Sequence, residues 1–249
     1  MRSPFRTAPL LAAIAAVLAA AACDSPSDSG PKAADVEALS GDAQQGVAGA
    51  QLTAPLVALV TDSRDRPVSG QTVRFTVLSG GGSLSAAEAV TGTAGTAETR
   101  WTLGTSAAQE QRVEARVVDR GGATLAADTF TATATPGAPA RVVKVAGDAQ
   151  SSTPNTFVAD SLAVRVEDAD GNPVSGAEVL WTVTSGGGIL ASRNTLSDAN
   201  GIARTRWQLG TSGTQSVTAV APAGGTAVTF TATLVPFPNV SYGPAFSAG

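Results

Sequence analysis

The sequence predicts an all-β chain of two antiparallel sandwiches in tandem. Three observations carry that expectation: an internal duplication, a period-two alternation of apolar residues, and turn residues between the runs. Residues 34–104 recur without insertion at residues 140–210. Arg66-Pro67-Val68-Ser69-Gly70 returns as Asn172-Pro173-Val174-Ser175-Gly176, and Thr99-Arg100-Trp101-Thr102-Leu103-Gly104 as Thr205-Arg206-Trp207-Gln208-Leu209-Gly210, each 106 positions on, as from 66 to 172. Further along, Phe130-Thr131-Ala132-Thr133 aligns with Phe230-Thr231-Ala232-Thr233 at an offset of 100, which puts a deletion in the last hairpin of the second copy. Surface hairpins tolerate such losses.

The elements follow in order. In Gln71 to Leu78, Val73, Phe75 and Val77 share one face and Arg74 and Thr76 the other; the second copy repeats this with Val179, Trp181 and Val183. In Thr96 to Leu103 the shared face is Ala97, Thr99, Trp101 and Leu103, with Ala203, Thr205, Trp207 and Leu209 as counterparts. Val113, Ala115 and Val117 alternate with Arg112, Glu114 and Arg116, and the run from Phe130 to Ala134 closes the first copy. Phe75, Trp101, Phe130, Trp181, Trp207 and Phe230 are therefore expected as structural core aromatics. The tryptophans are in phase with Val, Ala or Leu, which argues against an exposed sugar-binding platform. Asp65-Arg66-Pro67 and Asp170-Gly171-Asn172-Pro173 are turn sequences. The glycine triplets at 80–82 and 186–188 suit a bulge or a switch between sheets. About seven short strands per copy is the count of an immunoglobulin-type sandwich. No cysteine pair joins the sheets, and aromatics are only 4% of residues against 43% hydrophobic, so Val, Ala and Leu must fill the cores around a few rings.

Gly-Asn-Pro-Val-x-Gly, Val-x-Trp-x-Val-x-Ser-Gly-Gly-Gly and Asp-Ala-Asn-Gly-Ile-Ala-x-Thr-x-Trp-x-Leu-Gly-Thr, as they stand in the second copy, resemble the group 1 bacterial immunoglobulin-like domains of the invasin and intimin adhesins. The likeness covers most of residues 34–235. The first copy departs from it at Arg64-Asp65-Arg66-Pro67, at Phe75 in place of the strand Trp, and at Thr93-Ala94-Gly95. The resemblance implies tandem immunoglobulin-like modules outside the cytoplasm, used as a spacer or in adhesion.

The N-terminus has the pattern of an export signal. Arg2 and Arg6 precede an apolar run from Ala8 to Ala22, which is too short to span a bilayer. Cys23, the sole cysteine, follows Leu18-Ala19-Ala20-Ala21-Ala22. This resembles a bacterial lipobox, with Ala20 where the usual box has Leu, and implies lipidation at Cys23 and a membrane partner reached through a lipid anchor. The expected organisation is a signal peptide over residues 1–22, a flexible tether over 23–32, sandwiches at 33–136 and 140–235, and a Pro- and aromatic-rich tail at 236–249. Fully extended, the tether reaches about 30 Å at ~3.3 Å per residue.

Composition excludes several functions. The formal charge is −4, and neither copy is basic, with seven Arg against eleven acids in residues 33–136 and six cations against seven acids in 140–235. No cationic stripe suits nucleic acid. The chain has no histidine, the usual general base and metal ligand near neutral pH. Asp168-Ala169-Asp170-Gly171-Asn172 places oxygens as a calcium loop does, but Pro173 and Val179 stand where an EF-hand needs Gly and Glu, so a hairpin turn is expected. The spacing of Glu88, Glu98, Glu178 and Asp198 indicates no convergent catalytic pair. The expected protein is no enzyme and has no cofactor. It is a lipid-anchored extracytoplasmic spacer or adhesion module of the cell envelope, with a surface protein or glycan as candidate partner. The alternative is a soluble secreted module that binds glycan or protein.

Overall fold

The computed structural model describes residues 31–237, and these are strand, turn and loop without helix. The first sandwich comprises β1 (Asp35–Ser40), β2 (Gln44–Val47), β3 (Leu56–Thr61), β4 (Thr72–Ser79), β5 (Ser83–Leu84), β6 (Glu88–Val90), β7 (Thr96–Thr99), β8 (Trp101–Thr102), β9 (Gln111–Val118) and β10 (Thr124–Thr135). The second repeats the plan with β11 (Arg141–Ala146), β12 (Gln150–Ser152), β13 (Leu162–Glu167), β14 (Glu178–Ser185), β15 (Ile189–Leu190), β16 (Asn194–Leu196), β17 (Ile202–Thr205), β18 (Trp207–Gln208), β19 (Gln215–Val220) and β20 (Val228–Leu234). In each, a three-stranded sheet (β1-β3-β7; β11-β13-β17) faces a five-stranded one (β2-β10-β9-β4-β6; β12-β20-β19-β14-β16), with a short pair (β5-β8; β15-β18) at one end. This is the immunoglobulin-like sandwich, twice.

Each copy has ten strands where alternation alone suggested about seven. The extra breaks fall where the chain changes partners without losing its in-out phase. The run containing Trp101 pairs first with β3 through β7 and then, past Arg100, with β5 through β8. The glycine triplet after β4 takes the chain from the five-stranded sheet to that short pair, with Gly80, Gly81 and Gly82 all at positive φ.

One pairing in each sandwich is parallel: β2 beside β10, and β12 beside β20. The first edge strand leaves the three-stranded sheet as β1 and joins the other sheet as β2, beside the last strand of the same domain. The crossing turns at Gly41 (φ 87°) and Gly147 (φ 87°), where a Cβ would stand 2.2 Å from the Pro55 carbonyl oxygen and 2.5 Å from that of Ser161. The carboxylates that follow, Asp42 and Asp148, accept from the backbone N–H of Thr131 and Thr231 at 2.7 and 2.9 Å. Each therefore caps an edge N–H just before the parallel pairing begins.

Register preserves the duplication, since Phe130 faces Val113 across β9–β10 and Phe230 faces Val217 across β19–β20. Gln111 and Gln215 are equivalent at an offset of 104. Part of the deletion thus lies in the loop before β19 and the rest in the hairpin. The cores are built from alternate residues such as Leu56, Ala58 and Val60 on β3 and Val113, Ala115 and Val117 on β9, all buried. Trp101, Phe75 and Phe130 lie in one cluster, Trp181, Trp207 and Phe230 in the other. Trp181 and Phe230 meet with centroids 5.9 Å apart.

Candidate functional site: the junction between the sandwiches

The turn after β13 is built on one carboxylate. Asp168 Oδ1 accepts from the N–H of Asp170 at 2.9 Å and of Asn172 at 2.8 Å, the short-range bonding that makes Asp a turn residue. Its other oxygen accepts from the Asn172 side chain at 2.8 Å and from the N–H of Gly137 at 2.9 Å. Gly137 belongs to the linker Pro136-Gly137-Ala138-Pro139, so the turn also fixes the chain that enters its own domain. The Asp168-to-Asn172 segment is a closed hairpin turn, with its carboxylate directed at backbone N–H groups.

Asn172 carries the contact across the boundary. Its Oδ1 accepts from the N–H of Ala107 at 2.8 Å and its Nδ2 donates to the carbonyl of Thr105 at 2.8 Å, both in the first sandwich. Asp168 is 2% exposed and Asn172 7%, so these bonds are shielded from water. Burial opposes ionisation of Asp168. The bonds from the Asn172 side chain, from Gly137, and from the N–H groups of Asn172 and Asp170 outweigh it and hold the carboxyl below its usual range.

The receiving loop is braced from within by Gln111. This side chain is fully buried, accepts from Gly104 N–H at 3.0 Å and donates to the carbonyls of Ser106 at 3.2 Å and Gln109 at 3.3 Å. Gly104 is obligatory, because a Cβ there would stand 1.7 Å from the Gly80 carbonyl oxygen. The second sandwich repeats the brace with Gln215 and Gly210, at 2.9 Å. Sequence reasoning passed over Gln111 and Gln215, although each is in phase with the buried valines and alanines of its strand.

The same turn in the first sandwich is closed on itself. Asp62 accepts from the N–H of Arg64 at 2.9 Å and from Arg66 Nε at 2.9 Å, with Arg66 Nη2 at 2.6 Å. Arg66 occupies the place of Asn172. Its guanidinium, with the Arg64 N–H, holds the Asp62 carboxyl down at about 2. The Arg-for-Asn exchange, one of the departures of the first copy in this turn, is the sequence signal that bears on the different tasks of the two turns.

Of the acids considered for catalysis, Glu88 pairs with Arg74, Asp198 with Arg204, and Glu178 accepts from Asn194, while Glu98 is exposed on β7. Among the described residues, no three acidic, cysteine or histidine side chains converge as a metal site. Phe75, Trp101, Phe130, Trp181, Trp207 and Phe230 are all buried. Cys23 and most of the C-terminal tail lie outside the described residues.

Residues 142–235 match the model of the bacterial Ig-like domain (group 1). The second sandwich belongs to that family. The first sandwich is its duplicate in register and core. The chain is 30% identical over 184 residues to the inverse autotransporter adhesin YeeJ of Escherichia coli (strain K12), a match that covers 69% of this chain and only 7% of that protein. Among solved structures, the E. coli adhesin FdeC superposes with a TM-score of 0.50 at 18% identity, over 80% of this chain and 62% of that one. InvD of Yersinia pseudotuberculosis gives 0.48 at 18% identity, over 80% and 58%. The superposition on FdeC shows a shared sandwich fold.

Proposed function

We propose that the chain is a lipid-anchored extracytoplasmic protein whose two group 1 domains serve as a spacer or adhesion module of the cell envelope. The observation that carries this reading is the hydrogen-bonded junction at Asp168 and Asn172. A spacer must transmit position from one module to the next, and a shielded turn that grips both the linker and the neighbouring loop does so without slack. The 30% identity to an inverse autotransporter adhesin supports the adhesive half of the reading. Lipidation at Cys23, after removal of residues 1–22, would hold the module at a membrane surface through the tether over residues 23–32, with a surface protein or glycan as partner.

The test is fractionation of cells that express the full chain, combined with palmitate labelling. Label and envelope association are expected in the parent and lost together in Cys23→Ser. Release of unlabelled parent protein into the medium overturns the anchor and favours a secreted binding module.

A further inference from the structure

We infer that the row Phe157, Gln208 and Ile189, with Arg206 stacked on Phe157, is a docking surface for a protein partner that presents a carboxylate beside an apolar side chain. The inference rests on the adhesive half of the function proposed above and names the chemistry of its partner.

Gln208 is directly opposite Phe157 on one side and Ile189 on the other. Residues opposed in this way share a face. Trp207 and Leu209, on either side of Gln208, are buried, so this face is the outward one. Phe157 is 39% exposed and Ile189 62%, and neither belongs to the core of the second sandwich. Arg206, two residues before Gln208 on the same face, places its guanidinium carbon 4.4 Å from the Phe157 ring centroid. Gln208 donates to the Asn155 carbonyl at 2.6 Å, which fixes the middle of the row.

The first sandwich shows that the fold does not require these residues. Its equivalent row is Gln51, Thr102 and Ser83, on the same backbone pairings, beside Arg100. Where one copy has an amide and two hydroxyls, the other exposes an aromatic ring and a branched aliphatic chain. A single exposed apolar residue is ordinary, but contiguous aromatic, Arg and aliphatic groups are the composition of an interface centre.

Charge selects the partner. The chain carries 20 acids against 16 cations, yet Arg206 forms no ion pair among the described residues. Arg141 and Arg165 share Glu167, Lys144 pairs with Asp148, and Arg204 with Asp198; Arg193, like Arg206, forms none, but of these two Arg206 is the one stacked on an aromatic ring. A guanidinium already held flat on a ring loses little freedom when it takes a carboxylate on its remaining donors. The guanidinium also covers the ring face that a sugar would stack on, which favours protein over glycan. The row lies toward the end of the second sandwich that corresponds to the junction end of the first: Asn155 and Thr211 are the counterparts of Gly49 and Thr105, which in the first sandwich line the junction.

The chain has three isoleucines, and of these only Ile189 and Ile202 follow the expected signal peptide, so methyl labelling gives a reporter in the row and a control outside it. The full mature chain is titrated with acetyl-Glu-Leu-Glu-Phe-amide and, separately, with the twin peptide in which both Glu are Gln. A saturable shift of Ile189 with Ile202 stationary is expected for the acidic peptide, roughly tenfold weaker for the neutral twin and in Arg206→Gln. Equal response to both peptides, an unchanged response in Arg206→Gln, or no Ile189 shift at millimolar peptide overturns the proposal. So does protection of the Ile189 methyl from a soluble paramagnetic agent in the free chain, which would place residues 238–249 or a second copy on the row. Fractionation of Cys23→Ser leaves this surface intact and the titration leaves Cys23 intact, so each reading can fail alone.

Discussion

Asn172 donates to the carbonyl of Thr105 at 2.8 Å across 67 residues of sequence and a domain boundary. That bond and its partner from Ala107 join two sandwiches whose cores are separate.

Replacing the amide removes the grip and leaves buried groups on both sides without partners. Asn172→Ala is expected to weaken the junction by about 1–3 kcal/mol while each sandwich keeps its fold. Residual dipolar couplings check it: one alignment tensor describes both sandwiches in the parent, and two are expected in the variant. A single tensor in Asn172→Ala would show that the linker alone sets the orientation.

The junction is expected to ignore pH across the neutral range and to open only in acid. Asp168 has a folded pKa below its ordinary value of 3.8, so its contribution is complete above that value and is lost as pH falls through the lower folded pKa. Hydrogen exchange at the Gly137 N–H reads this directly. Strong protection is expected at pH 5 to 7 and loss of it in acid; Asp168→Asn should show the same loss at neutral pH.

Trp207→Ala is expected to destabilise the second sandwich by about 3–5 kcal/mol, as large-to-small core changes do. Denaturant unfolding followed by Trp181, buried in the same core, measures it. A loss below about 1 kcal/mol would place the ring outside the load of the core.

Ala149 sits at φ 54° and its counterpart Ala43 at φ 53°, a left-handed conformation that a Cβ disfavours. Ala149→Gly is therefore expected to stabilise the second sandwich, by about 0.5 kcal/mol once the greater freedom of the unfolded chain is subtracted. The bond from this residue's N–H to Asp148 is retained in the variant. A shift of the denaturation midpoint to lower denaturant would refute the argument.

Much of the fold was legible because burial in a sheet repeats every second residue. The phase that joins Ala203, Trp207 and Leu209 survives the break between β17 and β18, and all three are buried. The strand count was not legible, since a change of pairing partner at Arg100 or Arg206 leaves no mark on alternation. The parallel pairing of β2 was hidden for a related reason: which strand an edge joins after a turn is decided in three dimensions. At the junction, the Asp and Asn were readable as a turn, but the role of Asn172 depends on carbonyl and amide groups of a distant loop. The row at Phe157 was hidden by the polarity of its counterpart, because Gln51, Thr102 and Ser83 describe an ordinary solvated edge.

The parallel neighbours β2 and β10, like β12 and β20, are the second and the last strands of each domain, and they run in the same direction. When such a domain is drawn out by its termini, the two strands are dragged past each other along their length. Their rungs are then strained together and not peeled one after another, so a force transmitted along this chain meets a clasp at every module it passes through.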